Sequence, residues 1–387
     1  MKFDDVDVER LRRRRTVKWT LFGPDVLAAW VAEMDFDVAP VVRAALLEAV
    51  DREDFGYLAA DLSELTNACA AFLTAAHGWT VPPTRIFPVA DVLTGLAGAF
   101  DLFLAAGAAV VVLTPAYPPF FEIVELTGRP AIPTPMLRRP EGDALDLDAI
   151  DAALAGGAGG VLLCNPHNPT GRVFTVDELR DLAAIVDRHG ARVVADEVHA
   201  PLVYPGRAHV PYATVSDATA AHTITVTSAS KAYNLAGLKC AQVIATNHDD
   251  AAQWRALRVH EVAGPTPLGV ATSTAAYRDG ADWLRQLVGY LDDNRRALAQ
   301  LLADAIPRVG LHLPEATFLA WLDCAALGLD DPARFFLDHA RVALSDGPPF
   351  GPGCEQFVRL NFATSRALLE RMVGAMGDAV RRRGMAV

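Results

Sequence analysis

Between residues 84 and 245 the apolar positions fall into short continuous runs, separated by stretches with helical spacing. Ile86-Phe87-Pro88-Val89 leads into an apolar helix expected over 93–106, and the run 108–113 has the length of a buried strand. A helix over 117–127 and a strand over 129–135 follow, with further strands expected at 160–164, 192–195, 223–227 and 241–245. The helix expected at 175–189 carries its own start signal, Thr175 as N-cap with Glu178 three residues on, the two halves of a capping box. Continuous apolar strands alternating with helices predict an α/β fold with a mainly parallel sheet covered on both faces.

The flanks read differently. Residues 1–45 hold one helix-like stretch and the segment Trp30-Val31-Ala32-Glu33-Met34-Asp35-Phe36, and helices are expected near 40–52 and 59–77, the latter stopping at His77-Gly78. After residue 248 long helices take over, at 249–261, 266–278 and 281–305. Short strands at 317–323, 342–344 and 357–362 then mix with helices at 331–340 and 365–383. The expected organisation is a large domain over 46–280 and a smaller α+β domain built from 1–45 and 281–387. Gly156-Gly157-Ala158-Gly159-Gly160 precedes a strand rather than opening a helix, so it reads as a flexible loop and not a phosphate loop.

Composition narrows the function classes. The chain has 387 residues, 52% hydrophobic and 21% charged, which suits an ordered globular protein of two domains. A formal net charge of -12 argues against a nucleic-acid partner, and the run Arg12-Arg13-Arg14-Arg15 reads as a solvated or interface patch. No apolar stretch is long enough to span a bilayer, and no secretory h-region precedes residue 30, so a cytoplasmic location without a membrane partner is expected. Cys69, Cys164, Cys240, Cys324 and Cys354 are scattered and match no metal-ligand spacing. Buried free thiols and no metal site are the expectation.

Chemistry-bearing residues collect where the strands are expected to end, the edge at which open α/β sheets bind ligands. After strand 223–227 comes Ser228-Ala229-Ser230-Lys231. Burial lowers a lysine pKa and suits it to a Schiff base with an aldehyde, although a surface lysine after a strand fits this stretch equally well. Ala90-Asp91-Val92 opens a helix whose free N–H groups suit a phosphate, or is an ordinary strand–helix turn. An Asp91 carboxylate beside a phosphate requires that its side chain point away. Asn165-Pro166-His167-Asn168-Pro169-Thr170-Gly171 makes a sharp turn that can present the Asn168 amide to a ligand oxygen. Asp196 ends a strand expected to be buried, where an acid meets a cation or caps a helix.

Taken together, the chain resembles the fold-type-I pyridoxal-phosphate enzymes of the aminotransferase class I/II superfamily. The wider resemblance rests on Asn168-Pro169-Thr170-Gly171, Asp196, Ser228-x-x-Lys231 with Lys239 eight residues on, and Arg359 within Val358-Arg359-Leu360-Asn361-Phe362. Similarity to the cystathionine β-lyase and cysteine-S-conjugate C–S lyase branch rests on Trp30 to Phe36, Phe55-Gly56-Tyr57, Thr114-Pro115-Ala116-Tyr117-Pro118-Pro119-Phe120, Cys164 to Pro169, Asp196-Glu197-Val198-His199 and Asn234-Leu235-Ala236-Gly237-Leu238.

The resemblance implies pyridoxal 5'-phosphate as cofactor and a role for each matched position. Lys231 would carry the cofactor and move the substrate Cα proton. Asp196 would pair with the pyridine nitrogen, Asn168 and His199 would contact the ring oxygen, and Tyr117 would stack on the ring. Ser228, Lys239 and the Asp91–Val92 backbone would hold the phosphate, and Arg359 would clamp the substrate carboxylate. Tyr57 would reach in from a second subunit of a homodimer with shared active sites. Lysine at 239 replaces the arginine common in aminotransferases, and histidine at 199 replaces a common tyrosine. The implied reaction is β-elimination on a small amino acid carrying sulfur on Cβ, such as cystathionine or a cysteine S-conjugate. Transamination by the same residues is the alternative, and a non-catalytic cofactor-binding regulator is a rival that the acidic charge disfavours.

Overall fold

The computed structural model describes residues 3–140, 142–257 and 261–384. Two short helices, α1 (Val8–Arg12) and α2 (Val17–Thr20), precede strand β1 (Leu27–Ala28), where a single helical stretch is expected from the sequence. Helices α3 (Pro40–Asp51) and α4 (Ser63–His77) follow. The second starts four residues later than expected and stops at Gly78, whose φ of 66° is the left-handed conformation that ends helices.

The central alternation is β2 (Ile86–Val89), α5 (Val92–Phe103), β3 (Val110–Thr114), α6 (Pro119–Leu126), β4 (Ala131–Pro135), α7 (Leu147–Ala155), β5 (Gly160–Cys164), α8 (Val176–Arg188), β6 (Arg192–Asp196), α9 (Asp217–His222), β7 (Thr223–Thr227) and β8 (Ala241–Ala245). The remainder comprises α10 (His248–Arg255), α11 (Pro267–Asp279), α12 (Ala281–Ala305), β9 (Gly310–Leu311), β10 (Leu319–Asp323), α13 (Pro332–Ala340), β11 (Val342–Ala343), β12 (Ser345–Asp346), β13 (Phe357–Asn361) and α14 (Arg366–Arg382). Of the helix expected at 249–261, positions 258–260 lie outside the described residues.

Seven strands form one sheet in the order β2-β8-β7-β6-β5-β3-β4. All pairings are parallel except those of β8, which runs antiparallel to both β2 and β7. Alternate residues of each strand serve opposite faces. Val110, Val112, Val194 and Val226 pack with Leu96 and Phe100 of α5, while Val111, Val161, Leu163 and Val193 pack with Leu179, Leu182 and Val186 of α8. Each such side chain contributes about 1.5–3 kcal/mol on burial. A side chain at Gly95 would meet Val226 Cγ1 at 2.8 Å, so only glycine lets α5 lie this close to β7. That approach brings the α5 N-terminus to the edge where β5, β6 and β7 end.

A second sheet, β12-β13-β10-β9, is antiparallel throughout. Strand β1 joins β11 in parallel, which ties the N-terminal segment to the C-terminal part of the chain. The segment from Trp30 to Phe36 then runs back as a strap. Lys18 Nζ and Trp19 Nε1 both meet Asp35 Oδ1 at 2.8 Å, and both charged side chains of that pair are buried. Asn361 Nδ2 donates to the Val31 and Glu33 carbonyls at 2.7 Å each, and Asn234 bonds both the amide and the carbonyl of Met34.

In the arginine run Arg13 and Arg15 are exposed, while Arg12 and Arg14 are half-buried and have acidic partners, as does Arg10 just before it. Arg10 and Arg14 meet Asp37 at 2.7 and 3.0 Å, and Arg12 meets Glu9 at 2.6 Å. All five cysteines are free and buried. Among the described residues no helix is long and apolar enough to cross a membrane.

Candidate active site

Each strand end delivers one group. Asp196 is the last residue of β6 and pairs in register with Cys164 at the end of β5. Its Oδ1 accepts from the Val198 amide at 3.0 Å, leaving Oδ2 for a ligand. Burial, chiefly, pushes the Asp196 carboxyl up to about 7. Such a carboxylate is stabilised by a cation brought against it. The neighbouring Glu197 turns the other way: its oxygens take the Tyr212 amide at 2.8 Å and His209 Nε2 at 3.0 Å, within the protein interior.

Lys231 lies just beyond β7, half-buried on a cavity wall, and its Nζ donates to the Ala32 carbonyl of the strap at 3.2 Å. Burial first, then the nearby Arg359 charge, bring its pKa down to about 8. The neutral, nucleophilic amine is therefore available close to neutral pH. Ser228 Oγ donates to the Cys240 carbonyl at 2.7 Å and accepts from the Ser230 amide at 3.0 Å, closing the turn that carries the lysine.

Asp91 resolves the conflict posed by an acid beside a phosphate. It is the N-cap of α5, with Oδ1 accepting from the Thr94 amide and hydroxyl at 2.8 Å each, while Oδ2 pairs with Lys239 Nζ at 2.7 Å. The carboxylate is thus committed to the helix and to Lys239, and the Val92 and Leu93 end of the helix faces the cavity. Lys239 sits at φ 54°, a left-handed conformation costly for a residue with a side chain.

On the β5 side, the Gly171 amide bonds the His167 carbonyl at 2.8 Å and closes the Asn–Pro turn. Asn168 Oδ1 accepts from Arg359 Nη1 at 3.0 Å, so its amide NH2 is turned to the cavity as a donor. His199 is buried with Nδ1 unpartnered, and burial holds its pKa far below the usual range, so the imidazole is neutral. Tyr117 stands edge-on to Phe120 at 5.4 Å, and both line the cavity.

The structure gathers Asp91, Val92, Tyr117, Asn168, Asp196, His199, Ser228, Lys231 and Lys239 around one cavity of about 170 Å³. Arg359 lies behind this lining, fully buried, with Nη2 donating to the Trp30 carbonyl and to Ser345 Oγ at 3.1 Å each and with Nε unpartnered. Tyr57 is not brought to the cavity of its own chain and is 105% exposed. Ala32, Ser230 and Cys240 line the cavity and Ser345 braces Arg359 without having been singled out from the sequence. Two of these, Ser230 and Ala32, lie inside motifs that were recognised; Ser345 carries no sequence signal.

The chain belongs to the aminotransferase class I and II family, which matches residues 30–376. Within it, the chain is 40% identical over 365 residues to the cystathionine beta-lyase of Corynebacterium glutamicum, spanning 94% of this chain and 96% of that protein. A crystal structure from Corynebacterium diphtheriae, provisionally described as a PLP-dependent beta-cystathionase, superposes with a TM-score of 0.93 at 42% identity, covering 97% and 98% of the two chains. Cystalysin from Treponema denticola, whose crystal structure contains pyridoxal 5'-phosphate, gives 0.91 at 26% identity over 96% and 97%.

The donor set fits that cofactor. An amine is present for the aldehyde, a buried carboxylate for the ring nitrogen and an amide donor for the ring oxygen. Serine hydroxyls, a lysine and a helix N-terminus are present for the phosphate. The protein is a pyridoxal 5'-phosphate enzyme of the carbon–sulfur lyase type.

Proposed function

We propose that this protein releases a thiol, pyruvate and ammonia from an L-amino acid with sulfur on Cβ, cystathionine or a cysteine S-conjugate. The observation that carries the reading is the convergence of Lys231, Asp196 and Asn168 on one cavity in a chain whose relatives include a named cystathionine beta-lyase. When bound, the cofactor accepts the electron pair left on the substrate as the Cα proton departs. Lys231 Nζ would anchor the cofactor and would then be placed to take the Cα proton. Asp196 keeps a proton on the ring nitrogen through its negative charge. The Asn168 amide and neutral His199 would hold the ring oxygen, and Tyr117 would pack against the ring. Ser228, Lys239 and the α5 N-terminus hold the phosphate. Arg359 takes the substrate carboxylate, a bond made more favourable because the guanidinium is buried.

The working unit in this reading is a homodimer in which Tyr57 of one protomer completes the site of its partner. Supporting it, Tyr57 is exposed and lines a surface groove, and Leu47, Val50 and Phe55, near it in the chain, are exposed as well. Five buried free thiols suit a reducing, cytoplasmic setting. The test is a parallel assay of pyruvate release from L-cystathionine and S-alkyl-L-cysteine and of amino transfer from L-aspartate. Fast release with slow transfer is expected. Efficient transfer with inert sulfur substrates would make the chain an aminotransferase instead.

A further inference from the structure

Strand β12 pairs with β13 so that Ser345 stands directly opposite Arg359. Residues opposed in this way share a sheet face and lie within side-chain reach. The Ser345 hydroxyl uses the position twice, donating to the Trp30 carbonyl at 2.5 Å and accepting from Arg359 Nη2 at 3.1 Å. The Trp30 carbonyl also accepts from Nη2 at 3.1 Å, so serine, strap and guanidinium form a closed triangle. Asn168 holds Nη1 at 3.0 Å, and the Phe350 ring lies 5.1 Å from the guanidinium carbon. Nε alone is buried with no partner.

We propose that Ser345 is a positioning residue for recognition of the substrate carboxylate. Its hydroxyl fixes the guanidinium plane before substrate arrives and ties that plane to the strap that lines the cavity. A free arginine has many rotamers to lose on binding, and a braced one has few. Being a hydroxyl, Ser345 can turn from Nη2 and keep its bond to Trp30 when a carboxylate takes that nitrogen. Methionine or alanine here would leave one guanidinium donor unpaired and the strap carbonyl short of a donor. The inference rests on Arg359 receiving the carboxylate.

The experiment uses the holoenzyme and its Ser345→Ala, Ser345→Thr and Arg359→Lys variants. Two quantities are measured: kcat and KM for a cysteine S-conjugate, and the dissociation constant of propionate, a bare carboxylate, by calorimetry. Ser345→Ala is expected to raise KM and the propionate constant about five- to tenfold, as loss of one hydrogen bond of ordinary net strength implies, with kcat within twofold. Ser345→Thr keeps the hydroxyl and is expected to restore both. If Arg359→Lys weakens propionate but Ser345→Ala does not, the role of Ser345 is refuted and that of Arg359 stands. If Arg359→Lys leaves propionate binding unchanged, both fall. A Ser345→Ala loss confined to kcat, or one that threonine does not rescue, also overturns the proposal.

Discussion

Asp196→Asn removes one negative charge and almost no volume, so it isolates the electrostatic part of the site. A rise in the Asp196 pKa from 3.8 to about 7 corresponds to about 4 kcal/mol of penalty on its charged form. A cation at the ring nitrogen must offset that penalty to hold the carboxylate ionised at neutral pH. Asparagine offers the same position without the charge, so the attraction is lost while the Val198 amide keeps an acceptor. The expected fall in kcat/KM is about a hundred- to a thousandfold, which corresponds to about 3–4 kcal/mol. Glu197→Gln is the control. Its oxygens serve Tyr212 and His209, so it is expected to cost about 1–2 kcal/mol of stability and to leave kcat within a fewfold. The assay is pyruvate release at saturating cofactor, with urea unfolding measured on the same samples. Equal rate losses from the two substitutions, or an Asp196→Asn enzyme retaining a tenth of the activity, would refute the charge argument.

Lys231→Ala is expected to abolish turnover without loss of fold, and borohydride should fix the cofactor to Lys231 in the unsubstituted protein; labelling of a different lysine contradicts the assignment. Because burial lowers the Lys231 pKa to about 8, its neutral form grows in as pH rises through 8. Pyridoxal 5'-phosphate uptake by cofactor-free protein should therefore accelerate with a midpoint near that pH, and a midpoint close to 10.5, the ordinary lysine value, rules the shift out. Lys18→Met leaves the buried Asp35 carboxylate without its cation and is expected to cost about 3–5 kcal/mol in urea unfolding; a loss under about 1 kcal/mol means the strap is not anchored there.

The strands that end in Asp196 and Thr227 were legible because Val193-Val194-Ala195 is a continuous apolar run and Thr223 to Thr227 is β-branched throughout, and the capping box at Thr175 marked α8 down to its first turn. Asp91, Tyr117, Asn168, Asp196, Ser228 and Lys231 were legible because each sits in a short motif at or just after the end of a strand. The antiparallel direction of β8 was not, since an apolar run looks the same whichever way it is threaded. Helices α7 and α9 also escaped, the first of nine residues behind an Asp146 cap and the second of six behind Ser216, each short for its periodicity to stand out. Ser345 and the carbonyls of Trp30 and Ala32 lay beyond reach for a different reason. A backbone carbonyl has no letter in the sequence, and Ser345 meets Trp30 across 315 positions. The same applies to Asp91: the sequence raised the conflict with a phosphate, and only the fold shows the carboxylate turned to Thr94 and Lys239.

The reversed strand β8 has a mechanical consequence. Because it returns antiparallel to β7, the chain from Ser228 to Cys240 never leaves the ligand edge of the sheet. Lys231 and Lys239, proposed to hold opposite ends of the cofactor, therefore belong to a single short tether, stapled at both ends to neighbouring strands. Arg359 belongs to a different sheet and touches this seat only through Asn168 and the strap. A displacement of the second sheet would thus alter the hold on an incoming amino acid while the span between the cofactor's two grips stayed constant. With the proposed roles, gripping the reactant and keeping the reagent would fall to separate pieces of the frame, the second sheet and the tether beside β7 and β8.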